Sequence, residues 1–266
     1  MNPLRFIHVT DTHVTDPGGL VYGVDPLQVL CNCIARINQD SFGGEMCIVT
    51  GDLVHYGTEV RYAALKGALA EFKMPYHLLI GNSDDRILFH ECFPDQPWDE
   101  NGFVQAVLDR DNVRLIFLDT VGEADDVTGL LCARRLAWLE AKLREASGMQ
   151  VLVFMHHPPF EMYSAHQNEM GLRGKAEFLH LIEAHGNVRH IFFGHTHRPI
   201  SGLWKKTSFS SMRGTQMECS LRQDSADPDL FSCSSGIYAC VVVDADQVII
   251  NDVDTLIEHD QPFPRT

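Results

Sequence analysis

The sequence has no C-x-x-C pair, no internal repeat and no low-complexity segment. It also has no apolar run near the ~20 residues of a membrane-spanning helix. Without a C-x-x-C pair, and with Cys31-x-Cys33 on a helical pattern, the eight cysteines read as reduced, mostly buried thiols. A disulfide among Cys219, Cys233 and Cys240 is the lesser alternative. Basic residues are scarce: 21 Lys and Arg face 36 Asp and Glu, for a net charge of −15. That balance disfavours a nucleic acid polymer as partner. It leaves room for a small phosphate ester, because bound divalent cations could supply the local positive field. Met1 to His8 contain no signal-peptide core, so the expected setting is cytoplasmic, with no membrane contact.

What is present fits an ordinary globular chain. At 266 residues, with 45% hydrophobic and 21% charged content, it can form one large α/β domain or one domain with an appendage. Short apolar runs over 5–10, 46–50, 76–80, 151–155 and 188–193 read as buried strands. Between them lie helical patterns. Asp25 is placed to cap one, with Pro26 at its first position and Leu27, Leu30, Ile34 and Ile37 on one face. Thr58 is placed to cap the next, which carries Tyr62, Leu65 and Leu69. Residues 133–146 and 175–185 read as two more helices. The runs 102–108 and 113–118 read as an antiparallel pair turning at 109–112. Residues 207–229 are polar with little periodicity. The runs 236–244 and 247–253 read as a hairpin, and 261–266 as a tail.

The alternation of strands and helices predicts a layered α/β fold, in which ligands gather at the carboxyl ends of strands. Five strand ends carry metal-type residues. They are Asp11 and His13, Asp52, Asn82, His156, and His195 with His197. Any one of these has an ordinary alternative: Asp52 a cap, Asn82 a turn former, His156 a core imidazole, His-x-His a surface pair. Together they offer oxygen and nitrogen donors without thiolate, a set suited to Mn, Fe, Zn or Co. Seven ligands exceed one tetrahedral ion and suit two ions sharing a carboxylate. His157, beside His156, is the nearest alternative ligand; motif position rather than chemistry favours His156, which leaves His157 to orient a ligand from behind.

Asp11-x-His13, Gly51-Asp52, Gly81-Asn82, His156 and Gly194-His195-x-His197 resemble, in order and spacing, the five blocks of the calcineurin-like metallophosphoesterases. The stretches Val21-Tyr22-Gly23-Val24-Asp25 and Gly51-Asp52-Leu53-Val54 look like the branch of class III cyclic nucleotide phosphodiesterases and glycerophosphodiesterases. The resemblance implies a four-layer αββα sandwich of two mixed sheets flanked by helices. It divides the chain into a catalytic core over 1–200, a cap or oligomerisation insertion over 201–235, and a returning hairpin with its tail over 236–266. It implies one metal held by Asp11, His13 and His197, a second by Asn82, His156 and His195, and Asp52 between them. Asp52, Asn82 and His195 would take the catalytic roles, with hydroxide attacking a small phosphodiester. It further implies a homo-oligomer, a dimer or larger. The alternatives are a phosphomonoesterase of the same fold and a non-catalytic binding protein of that fold.

One position departs from the pattern. Where relatives of this kind carry a histidine credited with protonating the leaving group, this chain has Ser83. A serine hydroxyl is a far poorer acid. Either the leaving group needs no acid, or another imidazole fills the role, or activity is altered. His55 is the first candidate substitute, with His90 and His166 behind it. Tyr22, Asn82, Ser83 and His55 are the candidate substrate contacts, and packing is at least as ready a role for Tyr22.

Overall fold

The computed structural model describes residues 2–122, 126–162, 165–219, 231–233 and 236–255. The chain opens with β1 (Leu4–Val9), α1 (Pro26–Gln39), β2 (Cys47–Thr50), α2 (Glu59–Leu69), β3 (Tyr76–Leu79) and α3 (Arg86–Cys92). Next come β4 (Ala106–Arg110), β5 (Val113–Phe117), β6 (Gly129–Leu130), α4 (Ala133–Glu145) and β7 (Gln150–Phe154). Helix α5 (Ala165–Glu169), β8 (Leu172–Arg173), α6 (Lys175–His185) and β9 (Val188–Phe193) follow. The last described strands are β10 (Ile200–Trp204), β11 (Thr207–Ser211), β12 (Met217–Cys219), β13 (Phe231–Cys233), β14 (Ile237–Val243) and β15 (Val248–Asp254).

Two mixed sheets form the centre. One runs β15-β14-β1-β2-β3 and the other β10-β11-β9-β7-β5-β4. Their central strands are parallel and nearly continuous in apolar residues, because both faces of each sheet are covered. In β1, Ile7 and Val9 pack in a cluster with α1 and α2, while Leu4 and Phe6 meet Phe117, Phe154 and Phe192 of the opposite sheet. In β9, Ile191 and Phe193 pack toward α4 and α6, while Phe192 faces the first sheet. Three apolar layers between four layers of structure make the expected αββα sandwich.

Local chemistry sets the helix starts. Asp25 accepts from the Gln28 amide at 3.1 Å and Pro26 opens α1. Thr58 accepts from the Arg61 amide at 3.3 Å and starts α2. Asp85 receives the amides of Ile87 and Leu88 and starts α3.

Two expectations need correction. The β4–β5 turn lies at Asp111 and Asn112, not over 109–112, because Arg110 already pairs with Val113 and Asp111 takes φ +50°. Before β4, the Val104 amide is held by the Asp119 carboxylate rather than by a strand. The polar stretch after 200 is also not uniformly irregular. Strands β10 and β11 extend the second sheet, with β11 parallel to β9. Its hydroxyl-rich sequence hides this, because the hydroxyls bond to the neighbouring strand. Thr207 donates to the Val188 carbonyl, Ser208 to the Arg189 carbonyl, and both ring nitrogens of His190 meet Ser208 and Ser210. The first part of the 201–235 segment therefore belongs to the core sheet. Cys233 and Cys240 are unbridged. Residues 261–266 and most of 220–235 lie outside the described residues. Among the described residues no helix is long and apolar enough to cross a membrane.

Two imidazoles lie in the layer between the sheets, His8 on β1 and His190 on β9, 2% and 4% exposed. Burial pushes His8 down to about 4, against the opposing pull of Asp11, and His190 down to about 3. In the unfolded chain an imidazole takes up its proton near pH ~6.5, while the folded chain refuses it until the pH is far lower. Stability should therefore fall as the pH drops from ~6.5 toward ~4. The urea midpoint of the metal-free protein is expected to be lower near pH ~5 than near pH ~7, with a shallower slope in His190→Asn; a midpoint that rises on acidification would contradict this.

Candidate metal centre

Asp11 and His13 follow β1, Asp52 follows β2, Asn82 follows β3, His156 follows β7, and His195 and His197 follow β9. The site thus straddles both sheets at the carboxyl ends of their parallel strands. The chain does not leave those strands in a relaxed way. Asp11, His13, Asp52, His195 and His197 have φ of +52°, +40°, +47°, +67° and +48°. A left-handed backbone at a residue with a Cβ costs ~1–3 kcal/mol and survives only where the surroundings over-determine it. Here the surroundings do so. The Asp11 amide donates to the Gly51 carbonyl at 3.0 Å and the His13 amide to the Asp52 carbonyl at 2.9 Å. The Gly194 amide donates to the His156 carbonyl at 3.1 Å, tying β9's end to β7's. The turns aim residues 11 and 13, and 195 and 197, to one place.

Two groups result. In the first, His13 Nε2 and His197 Nε2 lie 3.1 Å apart, with Asp52 Oδ2 3.4 Å from His13 and Asp11 Oδ1 3.2 Å from His197. In the second, His156 Nε2 is 3.4 Å from Asp52 Oδ1 and 3.2 Å from Asn82 Oδ1, and the His195 ring stands 5.2 Å from the His156 ring. Asp52 thus turns one oxygen to each group. Metal–ligand bonds of ~2.1 Å produce ligand separations of roughly 3.0–3.4 Å, so the donor spacing fits divalent ions.

The tautomers agree with that fit. His156 Nδ1 lies 2.7 Å from the Thr50 carbonyl, which can only accept, so Nδ1 carries a proton and Nε2 is the nitrogen that would be bare once a cation replaced its proton. His195 Nε2 lies 3.1 Å from the Met170 carbonyl, which leaves its Nδ1 as the lone-pair nitrogen. His157 lies against this donor set, with a ring nitrogen within 4.8 Å of nitrogens of His156 and His195. Its Nδ1 meets Thr120 Oγ1 at 2.9 Å, and its ring packs 4.7 Å from that of His195.

The electrostatics show what the site demands. Burial pushes Asp11 and Asp52 up, yet their imidazole neighbours win. His197 holds Asp11 down at about 2, and His156 and His13 hold Asp52 well below the usual carboxylate range. In return, and against burial, Asp52 raises His156 to about 9 and Asp11 raises His197. Burial depresses His13 and His195 to about 4. Two buried carboxylates therefore call for positive charge at this spot, which protons or cations can supply.

The remaining predicted residues fall around this cage. Ser83 donates its amide to Asp52 Oδ1 at 2.8 Å. His55 stands at the other group, its ring 5.8 Å from that of His13 and 4.8 Å from that of Tyr56. Ser83 thus touches the Asp52 oxygen that faces His156, and His55 stands beside His13, the ring that faces the other oxygen. His90 stacks on Trp98, a packing role. Tyr22 is exposed on the turn closed by the Val21–Val24 bridge. The side chain of His166 lies outside the described residues. Sequence reasoning missed the brace under the site. Asp84 accepts the amides of Leu53, Val54 and Gly81 and the hydroxyl of Tyr62, gripping the turns that carry Asp52 and Asn82. A carboxylate two residues past Asn82 was its only signal. The Thr50 and Met170 carbonyls left no signal at all.

An αββα sandwich with a nitrogen and oxygen cage at its strand ends is the architecture of a metal-dependent hydrolase. The chain belongs to the calcineurin-like phosphoesterase family, whose profile matches residues 4–199. It is 37% identical over 252 residues to a protein of Rhodopseudomonas palustris named "probable cyclic nucleotide phosphodiesterase", covering 93% of this chain and 91% of that one. It is 31% identical over 203 residues to a protein of Arcobacter nitrofigilis named "probable glycerophosphodiester phosphodiesterase", covering 75% and 74%. Among solved structures, a dimetal phosphatase from Danio rerio superposes with a TM-score of 0.73 at 14% identity, covering 96% of this chain and 97% of that one. That likeness establishes the fold.

Gly51 has φ +93°, and a Cβ there would stand 2.5 Å from His156 Nδ1. At Gly81 a Cβ would collide with the Asp52 carboxylate itself. Gly81→Ala is therefore expected to lower affinity for added Mn²⁺ by ~10–100-fold. Titration of metal-stripped protein, with circular dichroism to confirm folding, checks it.

Proposed function

We propose that this chain hydrolyses a small phosphodiester, a glycerophosphodiester or a 3′,5′-cyclic nucleotide, using two divalent ions drawn from Mn, Fe, Zn and Co. The observation that carries the proposal is the division of Asp52, one carboxylate oxygen to each donor group. Relatives named for each of the two diester activities support the substrate class. Unbridged Cys33, Cys47 and Cys240 support a cytoplasmic setting.

Asp11, His13, Asp52 and His197 would hold one ion; Asp52, Asn82, His156 and His195 would hold the other. Cations bound there supply a nucleophile from water near neutral pH and charge neutralisation for the phosphoryl group. The protein's own groups do the rest. Asp52 keeps both donor groups at one spacing, and the Ser83 amide fixes its Oδ1 edge. Asn82 turns its Oδ1 toward His156, which leaves its amide N–H groups to bind a phosphoryl oxygen. The Met170 carbonyl holds the His195 ring in place. Ser83 can donate a hydrogen bond to a leaving oxygen, but its acidity is too low to hand over a proton as the alkoxide departs. The alkoxide departing from such a diester would therefore need its charge met by a bound cation rather than by a proton from residue 83.

Two measurements test this reading. With Mn²⁺ added, bis-(p-nitrophenyl) phosphate should be hydrolysed faster than the monoester, and a wide preference for the monoester would refute the diester assignment. Introducing Ser83→His should raise kcat on alkyl diesters with poor leaving groups by roughly 10²-fold, the low end of general-acid effects, while leaving p-nitrophenyl esters nearly unchanged. An unchanged rate on the alkyl diesters would show that no acid is missing.

A further inference from the structure

The carboxylate of Asp11 has two oxygens whose side-chain partners differ. Oδ1 faces His197 at 3.2 Å, on the donor cage. Oδ2 accepts from Thr10 Oγ1 at 2.6 Å, and the His195 amide reaches both oxygens at 3.1 Å. Behind Thr10 the contacts continue inward. Thr50 Oγ1 donates to Thr10 Oγ1 at 2.8 Å, and His8 Nε2 lies 2.9 Å from Thr50 Oγ1. Thr10, Thr50 and His8 are 1%, 0% and 2% exposed, so solvent does not complete these bonds.

The direction of every proton in the chain follows from its end. A carboxylate can only accept, so the Thr10 hydroxyl spends its hydrogen on Asp11. Thr50 then spends its own on Thr10, and only His8 can donate to Thr50. His8 must therefore be the Nε2–H tautomer. Its depressed proton affinity agrees, since a neutral ring has one N–H to give. The location makes the histidine costly. It projects between the sheets, its ring 5.4 Å from that of Phe192 and 6.5 Å from that of Phe154. An apolar residue would fill that layer without burying a polar ring.

We propose that His8 is a positioning residue for the metal centre, acting through Thr50 and Thr10 to hold the Asp11 carboxylate with Oδ1 turned to the cage. The inference rests on the metal-centre reading of the preceding subsection. Cutting the chain at its buried end frees the Thr50 hydroxyl, weakens the Thr10 grip on Oδ2, and lets the carboxylate rotate. The effect falls mainly on the donor group that contains Asp11, since the His195 amide keeps its own hold on both carboxylate oxygens.

The test is calorimetric titration of metal-stripped protein with Mn²⁺, using wild type, His8→Phe, His8→Gln and Thr50→Val. Wild type should bind two ions. His8→Phe should weaken one of the two sites by ~10-fold or more and spare the other. His8→Gln, whose amide N–H can replace Nε2–H, should recover affinity to within about twofold of wild type. Thr50→Val should reproduce His8→Phe, and combining the two should add nothing. It also keeps the test open if a phenylalanine at 8 prevents folding. Wild-type affinity in Thr50→Val or in His8→Phe overturns the inference, as does a His8→Gln variant as weak as His8→Phe, which would mean that only packing matters. A wild-type protein that binds no Mn²⁺ overturns the metal-centre reading itself, and this inference with it.

Discussion

Two carboxylates, Asp11 and Asp52, sit 0% and 3% exposed within a ring of imidazoles. Removing ionised carboxylates from water costs several kcal/mol each unless positive charge meets them. The rest of the site answers that constraint. The left-handed turns after β1, β2 and β9 bring nitrogen donors onto the carboxylate oxygens. Asp84 grips the turns that carry Asp52 and Asn82. Carbonyls of Thr50 and Met170 set which nitrogen of His156 and His195 stays bare. The left-handed turns cost the fold energy, and the hydrogen bonds of Asp84 and of the Thr50 and Met170 carbonyls hold them in place. The arrangement is one that would keep a cation's ligands in place before it arrives.

Much of this could be read from the chain, for a physical reason. Buried parallel strands are short apolar runs, and the residue types just beyond them stand out against Val, Ile, Leu and Phe. That is why Asp11, Asp52, Asn82, His156 and His195 announced themselves. Caps are local, so Asp25 and Thr58 were visible too. What escaped was non-local. The serines of 207–211 showed little periodicity because their partners lie across the strand pair, on the strand read over 188–193. Asp84 and the backbone carbonyls act through contacts that no spacing encodes. His8 read as one more residue of a strand, though its partner Thr50 lies on the neighbouring strand.

The Ser83 departure takes on a definite meaning beside this frame. The residue's backbone amide binds Asp52 Oδ1, a contact that needs no particular side chain, while its hydroxyl is a far poorer acid than an imidazolium. His55 stands on the His13 side of the bridge. Position 83 thus holds the shared carboxylate through its backbone without offering an acidic side chain.

The first sheet has one further property. Its central strand, β1, is flanked on one side by β2 and on the other by β14, with Leu4 opposite Val243. The turn that bears Asp11 is fastened from the same late region, since Thr215 donates its hydroxyl to the Thr10 carbonyl and its amide to the Asp11 carbonyl. During synthesis β1 emerges first and must wait, one edge bare, until a strand more than two hundred positions later leaves the ribosome. Contacts this distant in sequence are slow to form, and an unpaired apolar edge is a place for errant association. Joining β1 to so distant a partner leaves one edge of the first sheet's central strand exposed through that interval.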